Sequence, residues 1–141
     1  MVHLKKRVER YPERIALALI ETYSWQAYTA LGAGEKSVAR VESAYVAGCF
    51  FECAYCLIQV LFALNRRFFV NEKGALEEVM AFDRVPVGFA QTVHEVLSQP
   101  GASAQALQQS WNRMHAFAAE VGKLVRRRVG FGLSLIIRTA G

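Results

Sequence analysis

Apolar positions recur along this chain at helical spacing, and no stretch alternates between apolar and polar residues over the length of a strand. A first helix is predicted from Pro12, which suits the first helical turn because it has no N–H to leave unpaired. The helical spacing of apolar residues continues to Leu31. The helix then either pauses at Gly32 and Gly34 or continues through them to about Val41. This pattern predicts an all-helical fold.

A second helix is predicted from a capping Ser43 to about Phe68, and almost every side of it is apolar. A helix of this kind must be surrounded by others, so we expect it to be the central helix. About 20 apolar residues also suffice to span a bilayer. However, Glu52, Gln59 and two tyrosines interrupt the run, and no second candidate span follows it. We therefore expect no membrane insertion.

Three further helices complete the predicted architecture. The first is capped by Asn71 and ends before Pro86, and the second begins at Pro86 and ends at Ser98. The third is capped by Ser103 and ends near Arg128. The sequence thus predicts an up-and-down four-helix-type bundle with one or two extra short helices.

Length and composition are those of one globular domain. The chain has 141 residues, 53% of them hydrophobic, which is enough for a sizeable core and unlike a disordered chain. No linker is long enough to divide it, so a single domain is predicted over residues 1–141. Within it, residues 1–11 form a basic N-terminal segment and residues 129–141 an apolar tail, which packs either across the bundle or at a dimer contact.

The chain is basic, with seventeen Lys and Arg against twelve Asp and Glu and a formal net charge of +5. Much of the positive charge lies near the two ends of the sequence. Such clusters bind phosphate or anionic lipid, or they are solvated helix ends whose cations complement the helix dipole. The residues concerned are Lys5, Lys6, Arg7, Arg10 and Arg126–Arg128.

Several kinds of enzyme site are excluded by the residue types present. Asp83 is the only aspartate, so a metal site that needs two or three aspartates cannot be built from this chain alone. The sequence contains no Gly-x-x-x-x-Gly-Lys-Ser/Thr phosphate loop and no Gly-x-Ser-x-Gly nucleophile elbow. We therefore predict no metal ligands and no resident cofactor for this chain alone.

Three cysteines, Cys49, Cys53 and Cys56, lie within one helical stretch. Their odd number and close spacing do not suit a disulfide framework, which indicates a reducing, cytoplasmic compartment. They share one helix face among large apolar neighbours, so we expect them to pack in the core as small hydrophobic residues. The alternative is a zinc site completed by His94 or His115.

A polar stripe follows the central helix, where Tyr45, Glu52, Gln59 and Arg66 recur every seven residues and Tyr55 lies beside them. A carboxylate buried in an apolar helix must be paired or bonded. Burial also raises its pKa towards the range of a general base. Glu52 is therefore the candidate catalytic base or amine partner, with the two tyrosines and Gln59 lining a cleft. The alternative is a structural carboxylate bonded to a neighbouring Tyr or Arg.

Beyond the central helix, hydrogen-bond donors concentrate at its end and at the start of the next predicted helix. A helix that begins at Glu72 presents free N–H groups beside these side chains, an arrangement that suits phosphate. The alternative is a capped turn whose arginines lie in solvent. The predicted phosphate contacts are Asn65, Arg66, Arg67, Asn71 and Lys73.

Four segments, in their order along the chain, resemble the C-terminal helical domain of bacterial nucleotidyltransferase-like proteins. This domain is related to the C-terminal bundle of kanamycin nucleotidyltransferase and to HEPN domains, and the resemblance covers about residues 8–128. The segments are Tyr11–Glu13, Ala44–Cys49, Leu57–Asn65 and Asn71–Ala75.

The resemblance implies a substrate-binding helical half without its catalytic partner. Two-domain members carry a Gly-Ser motif and an Asp-x-Asp pair that hold the metal and the nucleoside triphosphate, and neither motif is present here. In aminoglycoside-modifying relatives the helical half supplies a glutamate base, a role that implies Glu52 here by position. The expected partners are a nucleotide or another small substrate with phosphate or amine groups, a separate nucleotidyltransferase domain with Mg-nucleotide, and a second copy of the chain.

Two further hypotheses belong to other functional classes. One is a nucleic-acid-processing HEPN-like protein with a divergent site built from His94, His115 and Arg113. Its usual ribonuclease motif, an Arg followed four to six residues later by a His, is missing, because Arg84 precedes His94 by ten residues and Arg113 precedes His115 by two. Nucleic acid would then be bound mainly through its phosphates. The other hypothesis is a structural homodimeric protein.

Overall fold

A computed structural model describes residues 11–129, and 75% of them are helical, with no strand in this range. The predicted all-helical fold is confirmed. The predicted basic segment and apolar tail fall almost entirely outside the described residues. The five helices are α1 (Glu13–Val38), α2 (Ser43–Leu64), α3 (Ala75–Val79), α4 (Phe89–Ser98) and α5 (Ala104–Val129).

Contacts between the helices show their directions. In the antiparallel pair of α1 and α2, Gly34 lies against Cys49, while the Cys56 sulfur lies 3.7 Å from the Gln26 amide oxygen. Helix α5 also runs antiparallel to α1, because the Trp111 indole N–H donates to the carbonyl of Leu31 at one end of the helix pair. Near the other end, Arg128 and Glu13 approach within 3.9 Å.

Helices α4 and α5 are antiparallel as well, with the rings of Phe89 and Phe117 in edge-to-face contact at 5.5 Å. Arg113 of α5 forms an ion pair with Glu95 near the end of α4. Helices α1, α2, α4 and α5 therefore alternate in direction along the chain. The short α3 lies in the connection between α2 and α4.

The core is built around α2, as the sequence predicts. This helix contacts each of the other four, and its largest fully buried side chains include Phe50, Leu57 and Phe62. In the described range it is also the one helix long and apolar enough to cross a membrane. Since 67% of its most apolar window is buried inside the protein, core packing already accounts for its composition.

Helix α1 continues through Gly32 and Gly34, which decides between the two alternatives left open by the sequence. Several predicted boundaries are wrong. Helix α2 ends at Leu64 rather than near Phe68, because Arg66 takes a left-handed conformation with a φ of 56°. That turn also removes Arg66 from the polar stripe of α2.

The predicted helix starts at Asn71–Glu72 and at Pro86 are also wrong. The Asn71 side chain accepts the N–H of Lys73 in a local turn. Helices α3 and α4 begin only after Gly74 and Gly88, at Ala75 and Phe89. Both glycines have positive φ, near +79° and +77°, where a side chain would be strained.

The last helix begins where the sequence predicts. Its cap is confirmed, because the Ser103 hydroxyl oxygen accepts the N–H of Ala106 at 3.1 Å. The helix continues to Val129, so its basic last turn lies at the same end of the bundle as the start of α1.

Candidate functional site

The expected burial of Glu52 is wrong, because its side chain is exposed on the outer face of α2. The apolar surroundings on which the prediction of a general base at this position depended are therefore missing. The polar stripe lies on the side of α2 that faces away from the core. Its seven-residue recurrence is the pattern of a helix face in contact with solvent.

The other stripe residues lie on the same outer surface. Tyr45 is 55% exposed, and Phe51 is 51% exposed with its ring 4.6 Å from that of Tyr55. Tyr55 and Gln59 are half-buried. Tyr45 lies in the first turn of α2 and Arg67 follows its last turn, so the 22-residue helix separates them by roughly 30 Å. Tyr45 and the arginine segment therefore do not line one cleft.

The three cysteines are buried in the α1–α2 interface, as the core interpretation predicts. Burial raises the pKa of the Cys53 thiol strongly and that of Cys56 to about 11, so both are protonated at neutral pH. Between residues 11 and 129, no group of three His, Cys, Asp or Glu side chains is placed to hold a metal ion. These cysteines act as packing residues.

Two residues of the HEPN-like hypothesis, Arg113 and His115, face different helices, and the third, His94, is exposed on α4. Arg113 points to α4, where it pairs with Glu95. His115 points to α1: its ring stacks on Trp111 at 4.9 Å and meets the edge of Tyr28 at 6.3 Å. Since Arg113 and His115 diverge, the structure does not assemble them into one site.

A second group of candidate side chains lies at the end of the bundle where α1 begins and α2 and α5 end. We call this region the basic end and define it as residues 11–15, 65–88 and 124–128. Arg66 joins its parts by donating two hydrogen bonds to the Glu13 carboxylate, at 2.9 and 2.7 Å. These bonds are the main reason that the pKa of Glu13 is lowered. The basic end is thus held together by contacts between residues distant in sequence.

Asn65 fastens the connection between α3 and α4 to the end of α2. Its amide donates to the carbonyl oxygens of Leu61 and Arg84 at 2.7 and 2.8 Å, and its oxygen accepts the Arg84 N–H at 3.0 Å. Asn65 and Arg66 therefore both bond to the protein itself. Their predicted contact with phosphate has to compete with these bonds.

Among the depressions that open on the basic end, two are lined by arginine residues. The larger, of about 370 Å³, is lined by Leu124, Arg127 and Arg128 of α5 and by Arg84 from the connection before α4. Within residues 11–129, neither Arg84 nor Arg127 forms an ion pair, and the closest carboxylate oxygen to Arg128 is 3.9 Å away. Arg84 and Arg127 are therefore available to an anion from solvent, whereas Arg128 would share it with the contact to Glu13.

The smaller depression has a volume of about 240 Å³ and a mixed charge. It is lined by Asn65, Arg67, Phe82 and Asp83. The Arg67 guanidinium carbon lies 5.8 Å from the centre of the Phe82 ring, a cation–π arrangement that holds the arginine on the surface. Because Asp83 repels anions, this depression suits phosphate less well than the larger one.

The remaining predicted contacts, Asn71 and Lys73, are exposed on the connection between α2 and α3. The helix N-terminus that was expected to support them does not exist at Glu72. Arg84 was not among the predicted site residues. No local signal marks it, because its neighbours in the depression come from α5, about forty residues later in the chain.

Comparison of the chain with protein-family models, with curated proteins and with solved structures found no match. The resemblance to the helical half of nucleotidyltransferases therefore stays a prediction.

Proposed function

We propose that this chain is a phosphate-binding helical domain that holds its ligand in the depression lined by Arg84, Arg127 and Arg128. In this proposal it is a four-helix-type bundle related to the helical half of nucleotidyltransferases. It binds nucleotide for a separate catalytic partner and is not catalytic by itself. The observation that carries the proposal is the convergence of three guanidinium groups on one open depression. In the described residues Arg84 and Arg127 form no ion pair, and Arg128 contacts the Glu13 carboxylate at 3.9 Å.

The chemistry and size of the depression agree with this assignment. A guanidinium group presents several N–H donors in a planar fork that matches phosphate oxygens. Leu124 adds an apolar contact on the same surface. A volume of about 370 Å³ lies within the usual range for small-molecule pockets, roughly 300 to 1,000 Å³.

The competing structural explanation is that basic residues at the end of α5 merely complement its helix dipole. It applies to Arg127 and Arg128, which lie in the last turn of α5. It does not apply to Arg84, which lies in a connection and not in the last turn of a helix. The backbone N–H and carbonyl of Arg84 are both hydrogen-bonded to the Asn65 side chain. Arg84 lines the same depression as Arg127 and Arg128.

The test is calorimetric titration of the full chain with ATP and with inorganic triphosphate. We expect both to bind, because the recognised group is phosphate. Arg84→Gln and Arg127→Gln should each weaken binding about tenfold or more, the typical effect of losing a charge-assisted hydrogen bond. Arg40→Gln is the matched control, since Arg40 is exposed in the α1–α2 connection, at the opposite end of the bundle. Absence of heat for both ligands, or an equal loss in Arg40→Gln, would reject the proposed function.

A second candidate function, a homodimeric interaction protein, is favoured by the aromatic face of α2. Tyr45 and Phe51 are both more than half exposed and lie three residues on either side of Gly48, beside which there is open space. A twofold axis near Gly48 would place each ring against the other ring of a second copy. Analytical ultracentrifugation tests this: we expect a dimer that dissociates in Phe51→Lys. A wild-type monomer at all concentrations would exclude it.

A further inference from the structure

Large apolar side chains are exposed mainly at the basic end. Nine such residues are exposed in the described part of the chain, and five of them belong to this one region. Met80 and Val87 share one groove, and apolar surface exposed together on a protein usually marks a contact with another molecule or with a membrane. The five are Ile15, Phe68, Val70, Met80 and Val87.

The most exposed of these residues lie on the connections between helices. Val87 is 99% exposed and Val70 is 86% exposed, in the α3–α4 and α2–α3 connections respectively. Met80, at 67% exposed, lines a shallow groove together with Val87. An apolar side chain at the tip of a connection can enter a soft surface without rearrangement of the helices behind it.

Positive charge is also concentrated at the basic end. The basic end carries eight Lys and Arg and five Asp and Glu, whereas the rest of the described chain carries four and six. An anionic surface therefore attracts this end and repels the remainder, which orients the molecule. The basic residues of the basic end are Arg14, Arg66, Arg67, Lys73, Arg84 and Arg126–Arg128.

We propose that the basic end docks on an anionic phospholipid membrane. The arginines of the larger depression bind lipid phosphates, while Val70, Met80 and Val87 enter the boundary between headgroups and acyl chains. This inference rests on the proposed function, because the same arginines bind phosphate, and it names the lipid headgroup as the source of that phosphate. The protein lies on the membrane and does not cross it, since α2 forms the core.

The combination of charge and apolar surface distinguishes a membrane from other anionic partners. Nucleic acid offers phosphates to the arginines but no apolar layer for fully exposed valines at the same end. A bilayer surface offers both, because acyl chains lie directly beneath the phosphates. The apolar side chains are therefore the part of the proposal that an experiment must test separately.

The experiment is vesicle sedimentation of the full chain with phosphatidylcholine alone and with phosphatidylcholine mixed with phosphatidylserine. We expect binding to the mixed vesicles only, weakened by added salt. The double variant Val70→Ser/Val87→Ser should weaken vesicle binding about tenfold and leave the calorimetric affinity for inorganic triphosphate unchanged. Trp25→Ser is the control, because Trp25 is 54% exposed on α1, away from the basic end.

Three outcomes would overturn the inference. The first is triphosphate binding without sedimentation on either kind of vesicle, which leaves the proposed function intact. The second is equal vesicle binding by the wild type and the Val70→Ser/Val87→Ser variant. The third is binding to single-stranded RNA but not to vesicles, which would assign the basic end to nucleic acid. If the wild type does not bind triphosphate, the proposed function itself is rejected.

Discussion

The contact between α1 and α2 predicts different effects for the same substitution at two glycines of one helix. Gly32 and Gly34 both lie inside α1, where alanine is favoured over glycine by about 0.5–1 kcal/mol. A Cβ atom added to Gly32 meets nothing within 4 Å, so Gly32→Ala should stabilise the protein by about that amount. A Cβ atom added to Gly34 would lie 3.0 Å from the Cβ of Cys49.

A carbon–carbon contact of 3.0 Å is shorter than the ordinary separation of about 3.5–4.0 Å. Helix α2 would have to move by a few tenths of an ångström, and overpacking of this kind costs about 1–3 kcal/mol. The gain in helix propensity offsets part of that cost. Gly34→Ala should therefore change the free energy of unfolding by between zero and about 2 kcal/mol in the destabilising direction. The free energy of unfolding of this variant should be at least about 1 kcal/mol lower than that of Gly32→Ala.

Urea denaturation of both variants, followed by circular dichroism, measures this difference in the free energy of unfolding. A double-mutant cycle with Cys49→Gly locates its cause, because removal of the Cys49 side chain frees the space that the methyl group added at position 34 would need. The double variant should then be less destabilised than the sum of its single variants. If Gly34→Ala stabilised the protein as much as Gly32→Ala, the close approach of the two helices would be refuted.

Three further predictions concern the stability of the fold and of the basic end. Met114→Ala should lower the free energy of unfolding in urea by about 2–5 kcal/mol, because this side chain is fully buried; a change below about 1 kcal/mol would contradict its placement. Ser103→Ala should cost about 1 kcal/mol in thermal denaturation through loss of the α5 cap, with Ser103→Asp as the conservative control. The lowered pKa of Glu13 means that its pairing with Arg66 stabilises the folded state at neutral pH and that this contribution is lost as the pH falls below about 4.5. Unfolding curves of the wild type and Glu13→Gln should therefore converge in acid; a constant difference would contradict the assignment.

Much of the helical framework could be predicted because its signals are local. The Ser103 cap lies next to the element it defines, and it survives in the structure. The continuation of α1 through Gly32 and Gly34 could not be decided from sequence alone. Two glycines weaken a helix by an amount that tertiary packing readily offsets, and here Gly34 is the residue that lets α2 approach.

The wrong boundaries share another cause. Asn71 and Pro86 are residue types that often begin helices, but both belong to connections shaped by neighbouring groups. The Asn71 side chain accepts the N–H of Lys73 in a local turn. The connection before α4 is held by the side chain of Asn65, which lies about twenty residues earlier and donates to the carbonyl of Arg84. Bonds between residues this far apart leave no periodic signal in the sequence.

The error about Glu52 came from treating α2 as uniformly buried. Its buried residues include Val46, Phe50, Cys53 and Leu57, which follow helical spacing on the core face. Glu52 falls between them on the opposite side, so the average hydrophobicity of the helix concealed a narrow exposed face. The seven-residue recurrence of polar residues was the available signal, and it indicated solvent contact rather than a cleft.

The arrangement of helices explains why charges distant in sequence form one region. Because α1, α2, α4 and α5 alternate in direction, α2 and α5 both end where α1 begins, and their C-terminal carbonyl groups add negative potential there. Some arginines at this end are thus needed by the helices themselves, a contribution of about 0.3–1 kcal/mol each at an exposed site. Removal of such an arginine should lower stability, whereas removal of Arg84, which terminates no helix, should affect only ligand affinity. For Arg84→Gln and Arg127→Gln, the change in the free energy of unfolding is compared with the change in ligand affinity. This comparison separates the structural role of the basic end from its binding role.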